Sequence, residues 1–425
     1  MNSKELFDKA YSRLVKLYAS DHTAPNAVIL SRFYREKMLL ADSTLYMRYL
    51  DFSARVRSAA KARGEHAFTS GTVGASLVAY LLGATDINPL PRHEYCPRCH
   101  KVSFTGVGLP IESHTVKCSC GAEIQLDGYG IPFESNLTSV LSNRIQIRTS
   151  HAFFDDVKGM IFDEMWDKSI VTLKDKERSL AWFCMLDKET NESGEYTLNG
   201  NSDLFFDYPR ITVIKDSVLD KYREIESATG FKMSDIGPEE QSLVASNLLD
   251  GNTQGISFYD NKFIKETLKT VKVQSYDDIF KVIGFALSSN VWRENAEYIY
   301  RDQKKSLAEI PTYREELYMM IRERLYHHGI YDDGLAYEVM EKAWHGHYSK
   351  AGEVDEYTAL SLQRIGFDVD FIAFLEKINY MPSKAQGVGC LKYLLATMYY
   401  KLKYNKEYNE IIADNSCGEN GNVYT

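Results

Sequence analysis

The stretch Pro89–Arg148, PLPRHEYCPRCHKVSFTGVGLPIESHTVKCSCGAEIQLDGYGIPFESNLTSVLSNRIQIR, decides the fold of this chain. It contains two close pairs of cysteines, then the segment DGYGIPFE, and then a run in which apolar and polar residues alternate. Alternation with a period of two is typical of a strand with one buried face. We therefore expect a strand that places Gln146 and Arg148 on the same face.

The cysteines have the spacing of a metal site. The four that cluster are Cys96, Cys99, Cys118 and Cys120. Two close pairs separated by a loop indicate a zinc ribbon, and four thiolates would leave a structural Zn²⁺ no open position. The second pair has one intervening residue and a strained bite, so His100 or His114 is an alternative ligand. Four free cysteines on a polar loop are the other interpretation.

Composition and charge restrict the class of protein. The chain has 425 residues, a net charge of −9 and 44% hydrophobic residues, which is ordinary for a globular protein with more than one domain. A negative net charge argues against indiscriminate binding to nucleic acid. No apolar run reaches the roughly 18 residues that span a bilayer, and no signal-peptide core precedes the first helix. We expect a cytoplasmic protein.

The rest of the chain reads as helices on both sides of a strand-rich middle. We expect an α+β fold that is predominantly helical. Helical spacing of apolar residues begins in KELFDKAYSRLVKLY, and strand-like runs such as RIQIRTSHAFF, SIVTLK, SLAWFCML and RITVIK follow the cysteines. We divide the chain into five parts, at residues 1–93, 94–122, 123–216, 217–412 and 413–425, and expect the last to be a flexible tail.

Several ordered segments resemble one known family. SGTVGASLVAYLLGATDINPLPRHEYCPRC, the second cysteine pair and DGYGIPFE resemble the palm of the PolC-type bacterial replicative DNA polymerases, the family C alpha subunits of Gram-positive bacteria. VIGFALSSNVWRENAEYI, LAYEVMEKAWHG and INYMPSKAQGVGCLKYLLATMYYKLKYNKEYNE resemble the fingers of the same family. Together these matches cover about residues 60–412.

The resemblance implies an architecture. The first three parts would be a family C palm with a Pol beta-type nucleotidyltransferase sheet, a zinc module and a reduced thumb, and residues 217–412 would be helical fingers. It also implies that the family's phosphoesterase-like, exonuclease and C-terminal duplex-binding regions have no counterpart here. A phage or mobile-element origin is compatible with such a reduced core.

The resemblance also implies that the catalytic positions have changed. The family's palm holds two Mg²⁺ ions through three carboxylates, because hard cations require oxygen ligands. Counted forward from GIPFE, the first two carboxylate positions fall on Gln146 and Arg148. Anchored on Thr229-Gly230, the third falls on Thr212. The family's pattern therefore implies a palm with degenerate metal-binding positions.

Some carboxylates remain as alternative ligands if the alignment is displaced. FFDDVKGMIFDEMWD offers Asp155, Asp156 and Asp163, although adjacent aspartates would point to opposite faces of a strand. The acidic residues near Thr212 leave the register of the later strand open: Asp203, Asp207 and Asp216.

The positions that bind the nucleotide triphosphate in the family are altered as well. The family's glycine-rich turn carries an arginine before its first glycine, where this chain has Ser70. Gly71, Thr72 and Gly74 would still provide a turn with backbone donors. In the fingers, Lys384 persists but the family's histidine two residues later is Gln386, and the lysine before its tyrosine-methionine pair is Asn379.

One lysine-rich segment is the candidate nucleic-acid surface. Lys377–Lys406 contains six lysines and no acidic residue, and tyrosines are interleaved with them. Lysines contact phosphates and tyrosines stack on bases, so Lys377, Lys384, Lys392 and Lys401 are candidate DNA contacts. An ordinary helix with tyrosines facing the core and solvated lysines is an equally weighted alternative.

Three functional hypotheses follow. The first is a catalytically inactive PolC-like core with structural zinc that acts in DNA replication or its regulation by binding DNA or a replisome protein. The second is an active minimal DNA polymerase with relocated carboxylates, which would need Mg²⁺. The third is a protein that docks on host replication machinery as a decoy without binding nucleic acid.

Overall fold

The computed structural model describes residues 2–20, 24–106, 108–111, 116–164, 170–174, 179–184, 195–198, 210–256 and 259–413. It divides into two compact units. Unit 1 contains the described residues up to Ile236 together with Tyr404–Ala413, and unit 2 contains those from Gly237 to Lys403. The five-part division at 93, 122, 216 and 412 stays a prediction, and the tail beyond Ala413 lies outside the described residues.

Unit 1 begins with the three helices that apolar spacing predicts. They are α1 (Ser3–Tyr18), α2 (Ala27–Leu40) and α3 (Thr44–Ala62). The Asn2 side chain accepts a hydrogen bond from the backbone N–H of Glu5, and the Glu5 side chain accepts one from the backbone N–H of Asn2. This capping box fixes where α1 starts. Leu6, Ala10 and Leu14 form its buried stripe.

The strands of unit 1 form two sheets. Their bounds are β1 (Ala67–Ser70), β2 (His93–Tyr95), β3 (Val102–Phe104), β4 (Gln125–Asp127), β5 (Arg144–Thr149), β6 (Ile170–Lys174), β7 (Ser179–Cys184), β8 (Glu195–Leu198) and β9 (Arg210–Lys215). The larger sheet has the order β1-β5-β9-β7-β6-β8, and the smaller has the order β3-β2-β4. Strands β5 and β9 are parallel, whereas β1 runs antiparallel to β5.

A tight turn leads from β1 into a short apolar helix. It is the 3-10 helix Gly71–Ala75, followed by α4 (Leu77–Leu82). Gly71 has φ +77°, a left-handed backbone conformation that glycine adopts without the steric cost of a Cβ. The glycine-rich turn that the sequence predicts is therefore present.

Three further helices of unit 1 directly precede or follow strands of the larger sheet along the chain. They are α5 (Leu137–Leu141), α6 (His151–Glu164) and α7 (Ser217–Thr229). The predicted strand RIQIRTSHAFF ends at Thr149, and its second half belongs to α6. Asp155 and Asp156 are thus helical, so the prediction that they point to opposite faces of a strand was wrong.

Unit 2 is helical in its described part. Its helices are α8 (Pro238–Leu249), α9 (Lys262–Thr270), α10 (Tyr276–Leu287), α11 (Ser289–Val291), α12 (Glu297–Arg301), α13 (Arg314–His327), α14 (Gly334–Trp344), α15 (His347–Ala351), α16 (Glu356–Arg364), α17 (Val369–Glu376) and α18 (Lys384–Lys403). α18 packs on α8 and α10 and is buried along most of its length, so it forms the centre of this unit. The short α19 (Asn405–Tyr408) belongs to unit 1.

The architecture agrees with the predicted α+β class in which helices predominate. Both sheets lie in unit 1. In the described ranges, every helix is too short or too polar to cross a membrane.

Candidate functional site

The strands β5 and β9 bring the three predicted palm positions together. Their parallel register pairs Gln146 with Thr212, and Arg148 lies two residues further along the same face. On the other side of β5, Ser70 is the partner of Gln146. The turn that begins at Gly71 therefore starts beside the strand positions that the alignment marks.

The opposite face of these strands belongs to the hydrophobic core. Ile145, Ile147 and Val213 are buried there. On the first face, Thr212 and Arg148 are less than one-tenth exposed and Gln146 is partly exposed. Gln146 is therefore the most exposed of the three positions.

Arg148 is held by an aspartate of the same unit. Its Nη1 donates to Oδ2 of Asp216 at 3.1 Å, and the two side chains are 10% and 11% exposed. Oδ1 of Asp216 accepts from the backbone N–H of Val218 at 3.0 Å and caps α7. Both oxygens of Asp216 therefore have protein partners, one from a cation and one from a helix N-terminus.

Other described carboxylates on the adjoining segments are also engaged. Glu65 accepts from Nη1 of Arg223 at 2.8 Å and from Oγ of Ser150 at 2.7 Å. Asp220 accepts from the backbone N–H of His151 at 2.9 Å. These contacts commit the acidic groups to pairs within unit 1.

The three aspartates of α6 differ in their surroundings. Asp156 forms an ion pair with Arg63, and Asp155 and Asp163 are exposed on the helix surface. The remaining alternatives, Asp203 and Asp207, lie outside the described residues.

The glycine-rich turn directs its side chain inward. Oγ of Thr72 lies 2.8 Å from Oδ1 of Asn136 and 2.6 Å from Oγ of Ser139, and Thr72 is 8% exposed. Gly74 is buried, whereas Gly71 is exposed. Of the three predicted nucleotide contacts, only the backbone of Gly71 is open to solvent.

Sequence patterns did not identify Glu36, a residue of α2 whose carboxylate caps the start of α4. The carboxylate of Glu36 is fully buried and accepts from the backbone N–H groups of Leu77 at 2.9 Å and Val78 at 3.0 Å. It also accepts from Oγ of Ser76 at 2.9 Å, and Arg32 donates to it at 2.5 Å. No local sequence signal identifies Glu36, because it lies 40 residues before its partners.

The cysteine cluster is the clearest site in unit 1. Strand β2 leads into the first pair, and the second pair sits on the turn before β4. The Sγ atoms of Cys96 and Cys120 are 3.4 Å apart, and those of Cys99 and Cys118 are 3.6 Å apart. All four Sγ atoms lie within 4.8 Å of one another. A tetrahedral Zn²⁺ with bonds of about 2.3 Å needs sulfurs about 3.8 Å apart, so the cluster could hold such an ion.

Hydrogen bonds within the cluster lower the thiol pKa of Cys118 and Cys96, whereas the neighbouring thiols raise the pKa of Cys99 to about 11 and also raise that of Cys120. The backbone N–H of Cys120 and the neighbouring thiols lower the pKa of Cys118 to about 6. The pKa of Cys96 is also lowered, mainly by the backbone N–H of Cys99. Nδ1 of His100 lies 2.8 Å from the backbone oxygen of Leu17, so His100 binds α1 instead of the cluster. His114 lies outside the described residues.

The described residues bring potential metal ligands together at one place. Within the described ranges, the cysteine cluster is the one group of at least three His, Cys, Asp or Glu ligand atoms close enough to share a metal ion. In those ranges the positions around Gln146 and Thr212 contain no such group.

The four predicted lysines of unit 2 have different surroundings. Nζ of Lys377 donates to the backbone oxygen of Glu294 at 2.7 Å, and Nζ of Lys401 donates to that of Gln254. Lys392 is half-buried. The structure therefore does not gather these lysines with Lys384 into one exposed surface.

Lys384 is drawn into the interior of unit 2. Its backbone N–H donates to Oε2 of Glu315 at 2.7 Å. Desolvation lowers the pKa of Lys384, although the nearby carboxylates of Glu316 and Glu315 oppose that shift. This ammonium group faces internal carboxylates.

The interleaved tyrosines mostly face the core. Tyr393, Tyr399 and Tyr400 are buried within unit 2, because α18 is apolar on nearly all sides. Tyr380 is half-buried, and its hydroxyl donates to Oε1 of Gln386 at 3.1 Å. For these three buried rings the structure agrees with the alternative in which the tyrosines face the core.

Comparison with known proteins identifies distant relatives. The chain is 22% identical over 410 aligned positions to DNA polymerase III PolC-type of Caldanaerobacter subterraneus subsp. tengcongensis, which covers 79% of this chain and 29% of that protein. It is 22% identical over 412 positions to the Thermotoga maritima protein of the same name, which covers 79% and 29%. It is 21% identical over 481 positions to the Staphylococcus saprophyticus protein of the same name, which covers 95% and 32%.

The chain is distantly related to PolC-type DNA polymerase III. No protein-family model matches it. The chain spans about a third or less of the length of the curated relatives it matches. The alignments cover 79% to 95% of this chain, in agreement with the resemblance to this family.

Proposed function

We propose that this chain is a catalytically inactive PolC-like polymerase core that acts in DNA replication or its regulation by binding DNA. The observation that carries the proposal is the pairing of Gln146 on β5 with Thr212 on β9, together with the ion pair between Arg148 on β5 and Asp216 at the start of α7. The distant relation to PolC-type proteins supports the alignment that marks these positions.

The charge of this surface opposes two-metal chemistry. The family's pattern implies three carboxylates, which would carry three negative charges next to two Mg²⁺ ions. Here Gln146 and Thr212 are neutral, and the charges of Arg148 and Asp216 cancel. Two divalent ions without compensating oxygens would repel each other and the guanidinium. The residues present do not fit a two-Mg²⁺ centre.

The two helix N-termini that would face a nucleotide triphosphate support the same conclusion. A phosphate at the start of α4 would compete with the carboxylate of Glu36, which already accepts its first N–H groups. At the start of α18, Glu315 accepts the backbone N–H of Lys384. An internal carboxylate at each helix start repels an incoming phosphate because both carry negative charge.

We further propose that the cysteine cluster holds a structural Zn²⁺ ion. Cys96, Cys99, Cys118 and Cys120 would supply all four ligands, so the ion would join the two turns that flank the β3-β2-β4 sheet. A closed set of thiolates leaves no position for a substrate. The ion would act on stability and not on chemistry.

Primer extension tests the proposal. The full chain, loaded with zinc, is incubated with primer–template DNA, the four deoxynucleotides and Mg²⁺ or Mn²⁺, beside the Thermotoga maritima PolC-type protein as a positive control. We expect no extension above background. Metal-dependent incorporation by this chain would instead establish the active minimal polymerase with relocated carboxylates.

A salt-dependent DNA titration tests the binding role. We expect measurable binding of duplex DNA at 50 mM salt and weakening as salt rises, because lysine–phosphate contacts release counterions. No binding at 50 mM salt would favour the protein-docking hypothesis, in which the chain engages a replication protein.

A further inference from the structure

Helix α9 carries a stripe of lysines that the family-based alignment does not single out. Lys262, Lys265 and Lys269 recur at intervals of three and four residues, which places them on one helical face. Lys272 follows the helix with the same spacing. All four are exposed, and the Lys262 side chain is 88% exposed. The helix thus presents a row of ammonium groups to solvent.

The opposite face of α9 fixes this orientation. Ile264, Thr267 and Val271 are buried, and α9 packs against α10 within unit 2. A helix anchored by a buried stripe cannot turn its lysines inward without exposing those side chains. The lysine row is therefore a stable feature of the surface of unit 2.

Neighbouring charges leave this surface positive. The cations of the surface are Lys262, Lys265, Lys269, Lys272, Arg293 and Lys401, and the carboxylates among them are Asp260 and Glu266. Six positive and two negative charges give this set a net charge of +4, in a chain whose net charge is −9. Within the described residues, no carboxylate pairs with Lys269 or Lys272. We call this set the α9 surface.

Two of its members come from other segments of unit 2. Nζ of Lys401 from α18 donates to the backbone oxygen of Gln254, and the backbone N–H of the next residue, Gly255, donates to Oδ2 of Asp260 at 2.5 Å. Arg293 reaches Glu266 at 3.5 Å and lies over the Phe263 ring with a distance of 5.0 Å from its carbon Cζ to the ring centroid. The positive surface therefore extends beyond α9 on both sides.

We propose that the α9 surface binds the phosphate backbone of double-stranded DNA. This inference deepens the proposed DNA-binding role and rests on it. From Lys262 to Lys269 the helix advances about 10 Å, at about 1.5 Å per residue. The same length along one strand of a duplex presents about three phosphates, at one per about 3.4 Å of axis, which equals the number of lysines in this part of the row.

The chemistry of this surface favours duplex over single-stranded nucleic acid. Single-strand binding relies on aromatic rings on which bases stack. On the described residues of α9, the one aromatic side chain is Phe263, and it is half-buried beneath Arg293. Lysine ammonium groups contact phosphates as point charges and do not read base edges as paired donors do. We therefore expect binding that is independent of sequence.

Fluorescence anisotropy with a labelled 20-base-pair duplex tests the inference. The full chain is titrated at several salt concentrations beside the variant Lys262→Gln/Lys265→Gln/Lys269→Gln. The matched control is Lys4→Gln/Lys16→Gln/Lys61→Gln, which changes the net charge equally at exposed positions of unit 1. We expect the α9 variant to lose more than about tenfold in affinity and its log–log salt slope to fall by about 2.7, at about 0.9 per phosphate contact. The control should bind like the unmodified chain.

Each other outcome overturns the inference in a distinguishable way. If both variants bind like the unmodified chain, DNA docks elsewhere and the proposed role survives without the α9 surface. If both weaken equally, net charge alone drives binding. Tighter binding of a single strand of the same length excludes the duplex. If the unmodified chain binds no DNA at 50 mM salt, the DNA-binding role fails as well, while primer extension still decides catalysis. Unchanged circular dichroism of each variant verifies folding.

Discussion

Arg148 is the residue on which the proposed loss of catalysis most depends. It lies on the same strand face as Gln146, and its guanidinium joins β5 to Asp216 at the start of α7. A side chain at this position thus has a structural partner where the family's pattern implies a metal ligand. Under the proposed alignment, a contact inside unit 1 stands where the family has a metal-binding group.

Removal of Arg148 is predicted to destabilise the protein. Arg148→Met leaves the carboxylate of Asp216 nearly buried without its cation, which should lower the free energy of unfolding by about 1.5–3 kcal/mol. Urea denaturation followed by circular dichroism measures the change. Because Asp216→Asn keeps a capping oxygen, the double variant should lose less than the two single losses combined. Strict additivity would show that the pair contributes nothing.

The largely buried pair between Lys281 and Glu316, whose side chains are 11% and 22% exposed, is a second decisive contact. Nζ of Lys281 donates to Oε2 of Glu316 at 2.6 Å and to the backbone oxygen of Ile310 at 2.7 Å. Burial acts to raise the pKa of Glu316, but Lys281 and Lys384 outweigh it, and the net pKa is lowered from 4.5. The ionised pair therefore stabilises unit 2 above the ordinary glutamate pKa.

The pair predicts a pH-dependent stability. Its contribution is complete above pH 4.5 and is lost as pH falls through the lowered pKa of Glu316, because the folded carboxylate binds its proton less readily than the unfolded one. Lys281→Met should cost about 2–3 kcal/mol near pH 7, since an unpaired buried charge remains. The difference from the unmodified chain should shrink between pH 5 and pH 3. The exposed control Lys269→Met should show neither effect, and a pH-independent difference would refute the assignment.

At the scale of elements, we expect the stability of the β3-β2-β4 sheet to depend on its cysteine turns. Each strand has three residues, and such short strands form few backbone hydrogen bonds. A metal ion that links the two turns would supply the missing stability, since binding to the folded site alone favours folding.

Loss of two ligands should release the ion. Cys96→Ser/Cys99→Ser is predicted to reduce bound zinc from about one ion per chain to nearly none and to lower the melting temperature. Elemental analysis and thermal denaturation measure both. The control Cys390→Ala changes a buried cysteine of unit 2 and should keep the zinc. Equal zinc content in all three proteins would exclude the cluster as the site.

The helices and strands also show which features local sequence patterns can predict. Apolar spacing identified α1, and alternation identified β5, because both patterns are local. The same patterns extended β5 into HAFF, where α6 begins, and left the tyrosines of α18 undecided. Whether Tyr400 faces solvent or core depends on the helices that pack around it, and no local pattern contains that information.

At the scale of the whole molecule, alignment to a family predicted which distant residues meet. Gln146 and Thr212 are 66 positions apart, yet the register of β5 and β9 pairs them. Alignment predicted neither the Asp216 partner of Arg148 nor the capping role of Glu36. Those contacts involve residues outside the family's motifs, so only the folded chain reveals them.

The distant relation to PolC-type proteins indicates common ancestry and does not by itself indicate a common activity. The chain matches these relatives across both of its units, since the match to the Staphylococcus saprophyticus protein covers 95% of its length. Activity depends on a few charged groups at one face of a sheet, whereas a fold is maintained by many buried contacts. A core can therefore persist after its metal ligands are replaced, and the α9 surface would give it a continuing use.

Electron paramagnetic resonance with Mn²⁺ tests the absence of a two-metal centre most directly. The zinc-loaded full chain is titrated with Mn²⁺ in the presence of primer–template DNA and a non-hydrolysable deoxynucleotide. Two-metal centres hold their ions about 3.5–4 Å apart, so they give the spectrum of a coupled pair. We predict only signals of free and DNA- or nucleotide-bound Mn²⁺. A coupled Mn²⁺ pair that requires this protein would contradict the account.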